Sequence, residues 1–178
     1  FMKNFLKKNG IIFGSTGVLG KQISIEVAKS DVNLILHGKS SKKLADLHDQ
    51  LKKLNKNITL LQADVTTKEF SANILNIIYS RFTFHSITNE EHSKFLKSIT
   101  KCGTYLCIET RSDKDKSNQR VHGDTHYRNF TNIDYLINLL KEHNFEILFN
   151  AESNGFSFYK GEDPICIRVI CRKLFLEK

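Results

Sequence analysis

Three glycines at positions 14, 17 and 20 are the residues of this chain best suited to chemistry. They stand at Gly-x-x-Gly-x-x-Gly spacing, after the apolar run Ile11-Ile12-Phe13 and before the helical pattern that opens at Lys21. In a strand–turn–helix context the first glycine lets the backbone turn sharply. The second lets backbone N–H groups approach a phosphate with no Cβ in the way, and the third lets the helix pack against the strand. The helix start then offers unpaired amides and a partial positive charge to an anion. A turn that needs only tight packing would carry the same glycines.

Other polar residues cluster at predicted strand ends. His37-Gly38-Lys39-Ser40 follows the second strand and holds no carboxylate, where an acid would bind a ribose diol. A lysine with serines neutralises a 2′-phosphate instead, so Lys39 and Ser40 favour NADP over NAD. Asp64, ending the third strand, is placed to accept from an adenine amine. Arg81, Arg111 and Arg128 form a candidate clamp for a phosphate or carboxylate of a small-molecule substrate. Tyr79 and His126 are the candidate catalytic groups. His122 and His126 have His-x-x-x-His spacing, but the Gly-Asp-Thr between them reads as a loop, so no metal site is expected.

The elements that must position these residues follow from periodicity. Val32–His37 and Ile58–Ala63 read as strands, with Leu44, Leu47, Leu51 and Leu54 along one helix face between them. Strand, helix, strand, helix, strand predicts a parallel sheet with right-handed crossovers, its ligands at the carboxyl ends of the strands. A strand over roughly 74–78 is expected next. Thr88-x-x-Glu91 is a capping box before a helix presenting Phe95, Leu96 and Ile99. A strand over 104–109, a polar loop over 110–130 and a helix capped at Thr131–Asp134 and stopped by Asn144 come after it. Two closing strands, 145–152 and 165–173, suit an antiparallel hairpin at a sheet edge.

At 178 residues the chain is long enough for one domain with a proper core. Hydrophobic residues make up 40% and charged residues 26%, a globular composition. No apolar run approaches the roughly 20 residues that span a bilayer, so no membrane partner is expected. The net charge of +8 permits an anionic ligand, but the lysines are spread over helix faces without interleaved exposed aromatics. That argues against nucleic acid. Four cysteines without Cys-x-x-Cys spacing read as free thiols of a cytoplasmic protein.

Residues 9–66 resemble the N-terminal half of a short-chain dehydrogenase/reductase, through Gly14-x-x-Gly17-x-x-Gly20, the His-Gly-Lys-Ser turn and Asp64-Val65-Thr66. The resemblance implies that Gly14, Ser15, Thr16, Gly17, Val18 and Leu19 hold a pyrophosphate. Lys39 and Ser40 would then take the 2′-phosphate of NADP, and Asp64 and Val65 the adenine. That family's Tyr-x-x-x-Lys pair, in which the lysine acidifies the phenol for proton transfer, is not here: no lysine stands four residues after any tyrosine.

Residues 74–173 are similar to a different family, the class I S-adenosylmethionine-dependent methyltransferases of small-molecule and surface-sugar loci. The matching stretches are Tyr79-Ser-Arg-Phe, Ile108-Glu-Thr-Arg-Ser-Asp and His126-Tyr-Arg-Asn-Phe. Both families share strand order 3-2-1-4-5. The expectation is a chimera on one Rossmann-like three-layer α/β domain spanning 1–178, with a mostly parallel seven-strand sheet and an antiparallel C-terminal hairpin strand. NADP is the first-choice cofactor and S-adenosylmethionine the alternative. A catalytically inactive fusion protein is the third reading.

Overall fold

The computed structural model describes residues 8–38, 40–62, 75–115, 127–155, 157–158 and 161–175. Seven strands form one sheet: β1 (Lys8–Phe13), β2 (Val32–His37), β3 (Ile58–Leu61), β4 (Ile77–Arg81), β5 (Tyr105–Arg111), β6 (Phe145–Ser153) and β7 (Cys166–Lys173). Among the described residues four α-helices accompany them: α1 (Val18–Ala28), α2 (Ser41–Leu51), α3 (Asn89–Ser98) and α4 (Ile133–Glu142). The spatial order is β3-β2-β1-β4-β5-β7-β6. All neighbours from β3 to β5 pair in parallel, and β7 runs antiparallel to both β5 and β6. The expected closing hairpin is therefore present, with its second strand inserted between β5 and the edge strand β6.

Strand alternation divides the core between the two faces of the sheet. Ile11, Phe13, Ile78, Leu106 and Ile108 point into a cluster completed by α3 and α4, through Phe95, Leu96, Leu136 and Leu140. Ile12, Leu34 and Leu36 point the other way, onto Leu44, Leu47 and Leu51 of α2 and Ala28 of α1. Helix ends are set by short-range chemistry. Thr88 and Glu91 complete the capping box of α3. Asn132 accepts from the amides of Asp134 and Tyr135 at the start of α4, and Asn144 stops that helix at φ 57°.

Three expectations shift. Strand β5 runs on to Arg111, paired with β7 through Thr110–Ile167 and Arg111–Cys166, so Thr110 and Arg111 lie in the sheet and not in the polar loop expected over 110–130. Helix α2 ends at Leu51, and Leu54 is half-exposed instead of joining the buried face. The chain leaves the helix because buried Asn55 donates its side-chain amide to the Val32 carbonyl. Strand β4 begins at Ile77, three residues later than the apolar run suggests. Asn76 ties the entry to β1, donating its amide to the Asn9 carbonyl and accepting from the Asn9 amide. Leu75 instead packs into the core beneath the strand. Tyr79 thus lies inside β4, and Arg81 becomes its last residue. Among the described residues no helix is long and apolar enough to cross a membrane.

Candidate functional site

The glycine turn leaves the end of β1 at the centre of the sheet. Gly14 takes φ +66°, a left-handed conformation that favours glycine. A Cβ on Gly20 would lie 2.2 Å from the Gly14 carbonyl oxygen and 2.9 Å from the Ser15 Cα, so the first turn of α1 sits directly on the backbone of the loop. Gly17 is the N-cap of α1 and supplies no side-chain cap. The amides of Val18, Leu19 and Gly20 have no acceptor among the described residues, whereas Lys21 begins the regular helical bonding with its amide on the Gly17 carbonyl. Three donors and the positive end of a helix macrodipole therefore face the carboxyl side of the sheet.

Not every residue of the turn is available to a ligand. Ser15 is buried, and both its amide and its hydroxyl donate to the His37 carbonyl, each at 3.0 Å. Its contribution is to lock the turn to the end of β2. Thr16 packs against Gly38, where an added Cβ would meet its side chain at 3.2 Å. Ser40 accepts from the Lys43 amide as the N-cap of α2. Lys39, Asp64, Val65 and His126 lie outside the described residues.

Beside the turn, a cleft of about 430 Å³ opens over the carboxyl ends of β4 and β5. Val18, Leu19 and Gln22 of α1 form one wall; Ser157, Phe158, Glu162 and Pro164, from the connection into β7, form the other. Arg81, Phe82 and Arg111 lie between them. Val18 is 71% and Phe158 72% exposed, so two large apolar side chains flank the mouth.

The strand register explains the charges beneath the cleft. Arg81, Glu109 and Arg168 stand opposite one another on β4, β5 and β7. Glu109 accepts from Arg81 Nε at 2.8 Å, Arg168 Nε at 2.9 Å and the Ser157 hydroxyl at 3.1 Å. Arg111, two residues on and buried, donates from Nη1 to Asp115 at 3.1 Å and from Nη2 to Glu162 at 2.9 Å. The structure thus brings Arg81 and Arg111 into the same cleft but not Arg128, which does not line it. Arg111 is committed to two carboxylates, so it anchors the second wall of the cleft. Arg128 buries its Nη2 with no hydrogen-bond partner among the described residues.

Tyr79 is not part of the cleft lining. It packs against the core shared with α1 and α2, and burial, with Glu109 nearby, pushes its phenol up to about 12. A phenol held that high is poorly matched to proton transfer near neutral pH. Glu109, Glu162, Phe82 and Phe158 are site residues that sequence reasoning did not single out. One signal was available: Glu109 and Arg111 are two apart at a strand end, so they share a face, and Arg81 ends the neighbouring strand.

A family model described as short chain dehydrogenase matches residues 8–87, which is 80 of the 178 residues. No curated protein sequence matches the chain. Among solved structures the chain is similar to a SAM-dependent methyltransferase from Methanosarcina mazei, with a TM-score of 0.72 and 13% identity over 96% of this chain and 94% of that one. It is also similar to 1,6-didemethyltoxoflavin-N1-methyltransferase from Burkholderia thailandensis, solved with bound S-adenosylhomocysteine: TM-score 0.68, 11% identity, 95% and 72% coverage. The cyclase SpnF gives a TM-score of 0.70 and 12% identity, with 94% and 75% coverage. One architecture carries both methyl transfer and cyclisation in these relatives, so the likeness speaks to fold. The chain has the α/β Rossmann-like methyltransferase fold, and its first half also carries a match to the short chain dehydrogenase model.

Proposed function

We propose that this chain is a chimera whose dehydrogenase-like first half and methyltransferase-like second half together bind S-adenosylmethionine and present its methyl group to a small acceptor. The observation that carries this reading is β7, reversed between β5 and β6, whose connection from β6 walls the cleft beside the glycine turn. The cofactor's amino-acid carboxylate would meet the unpaired amides of Val18 and Leu19. Its adenosine would extend toward the ends of β2 and β3, where Ser40, Asp64 and Val65 stand in the sequence. When bound, S-adenosylmethionine supplies an electrophilic methyl group on a sulfonium. The chain's own part is to hold the acceptor between Val18 and Phe158 and to shield it from water. With four free thiols, we place the protein in the cytoplasm.

A second reading keeps NADP(H) as the ligand, in the geometry of the short chain dehydrogenase model. What favours it is the end of β2: His37, Gly38 and Ser40 include no carboxylate for a ribose diol, and Lys39 suits a 2′-phosphate. Calorimetric titration of the purified protein separates the readings. S-adenosylhomocysteine is expected to bind at micromolar concentration and NADPH at least tenfold more weakly. The reverse order would install the second reading, and no heat from either would leave an inactive fusion protein.

A further inference from the structure

Arg81 differs from the other arginines of the cleft in what it leaves unused. Its Nε is fixed by Glu109 at 2.8 Å, and its guanidinium carbon sits 4.2 Å from the centroid of the Phe82 ring. Neither Nη donates to a described residue, although the side chain is only 22% exposed and lines the cleft. The group is thus held flat, by a carboxylate on one edge and an aromatic face below, with its Nη edge uncommitted.

The shelf under it is maintained against backbone preference. Phe82 has φ +56°, the left-handed region that a bulky aromatic residue rarely enters. Its amide donates to the Glu109 carbonyl at 2.7 Å, and its ring lies 5.0 Å from that of His85. Residues in such conformations cluster where a side chain must be aimed. Here the conformation turns the chain off β4 and keeps the ring beneath Arg81. Glu109 is itself held on its other oxygen by Arg168, so two charged side chains in series fix the donor edge of Arg81.

We infer that Arg81 is the acceptor-recognition residue of the cleft, and that the acceptor carries a carboxylate or phosphate on an apolar body. The anion takes the paired Nη donors of Arg81, and the apolar body lies between the exposed side chains of Val18 and Phe158 at the mouth. This assignment rests on the reading of the cleft as the acceptor side of the site. Arg81 and the α1 amides border the same cleft, and the assignment gives the acceptor's anion to Arg81 and the cofactor's carboxylate to the amides.

The test titrates benzoate and phenyl phosphate, with neutral benzamide as control, into the full chain without cofactor. Wild-type protein is expected to bind at least one anion tenfold or more tightly than benzamide, and the tighter of the two anions identifies the acid of the acceptor. Arg81→Gln is expected to lower that affinity at least tenfold and leave benzamide unchanged. Arg81→Lys, which keeps the charge without the fork, should recover only part of it. Phe158→Ala, at an exposed position, is expected to weaken anion and benzamide alike. S-adenosylhomocysteine affinity should stay within twofold in Arg81→Gln. Benzamide binding as tightly as both anions would overturn the proposal. So would a folded Arg81→Gln or Arg81→Lys that binds the anion like wild type, or one that loses S-adenosylhomocysteine to the same degree as benzoate. Failure of S-adenosylhomocysteine to bind wild-type protein, with benzoate binding intact, would instead refute the cofactor reading alone.

Discussion

Replacing Gly20 by alanine probes the glycine turn most sharply, because two opposing effects can be weighed. In a helix interior alanine is favoured over glycine by about 1 kcal/mol. The structure sets a collision against that gain. The new Cβ would sit 2.2 Å from the Gly14 oxygen and 2.9 Å from two further backbone atoms of the turn. Backbone cannot rotate aside as a flexible side chain would, so α1 must move by roughly 1 Å to restore ordinary contact. Overpacking of this kind costs about 3 kcal/mol at the upper end of the usual range. The net loss is then about 2 kcal/mol, or a melting temperature lower by roughly 4–8 °C in a domain of this size. Thermal unfolding followed by circular dichroism measures it, with Gly17→Ala, whose Cβ would lie 3.3 Å from the same oxygen, as the milder comparison. A Gly20→Ala protein as stable as wild type would refute the reasoning, for it would mean that the helix does not rest on the loop.

Val18→Asp should split stability from binding. An acid in the uncapped first turn of α1, which has none, is expected to raise apo stability by about 0.3–1 kcal/mol. It should also repel an anionic ligand group, so lower affinity with a higher melting temperature is the expected pair. Asp115→Ala removes a buried carboxylate that holds both Arg111 Nη1 and the Ile165 amide, and a loss of about 3–5 kcal/mol is expected in urea unfolding. His92 is buried, with Nε2 on the Phe84 carbonyl and no partner at Nδ1 among the described residues, and burial lowers its pKa below the ordinary 6.5. The unfolded chain therefore binds the extra proton first. The stability contributed by neutral His92 is present above about pH 6.5 and falls as the pH drops toward the folded value, by at most about 1.4 kcal/mol per unit. Melting temperatures at pH 7.5 and 5.0 check this, and His92→Gln should flatten the difference.

What the sequence made legible was local chemistry. The glycine spacing, the Thr88–Glu91 box, the Asn132 cap and the Asn144 stop each depend on residues within a few positions of one another, and each lies where periodicity placed it. Parallel pairing in the first half followed from alternation of strands and helices with short connections, whereas the order 3-2-1-4-5 came from the resemblance to the two families. What stayed hidden was long-range. The run 74–78 looks like a strand by hydrophobicity alone, and only the Asn76–Asn9 pairing across 67 positions moves its start to Ile77. Arg111 reads as a free clamp until Glu162, 51 residues away, is seen against it. The positive φ of Phe82 has no sequence signal, since nothing in an aromatic residue announces a left-handed backbone.

The measurement closest to the central claim is a two-dimensional amide NMR titration of isotope-labelled protein with S-adenosylhomocysteine and, separately, NADPH. The account expects S-adenosylhomocysteine to shift the Val18, Leu19 and Gly20 amide signals along one saturable curve, while NADPH leaves them near their free positions. Movement of those three amides by NADPH and not by S-adenosylhomocysteine would contradict the account, as would a glycine turn that responds to neither.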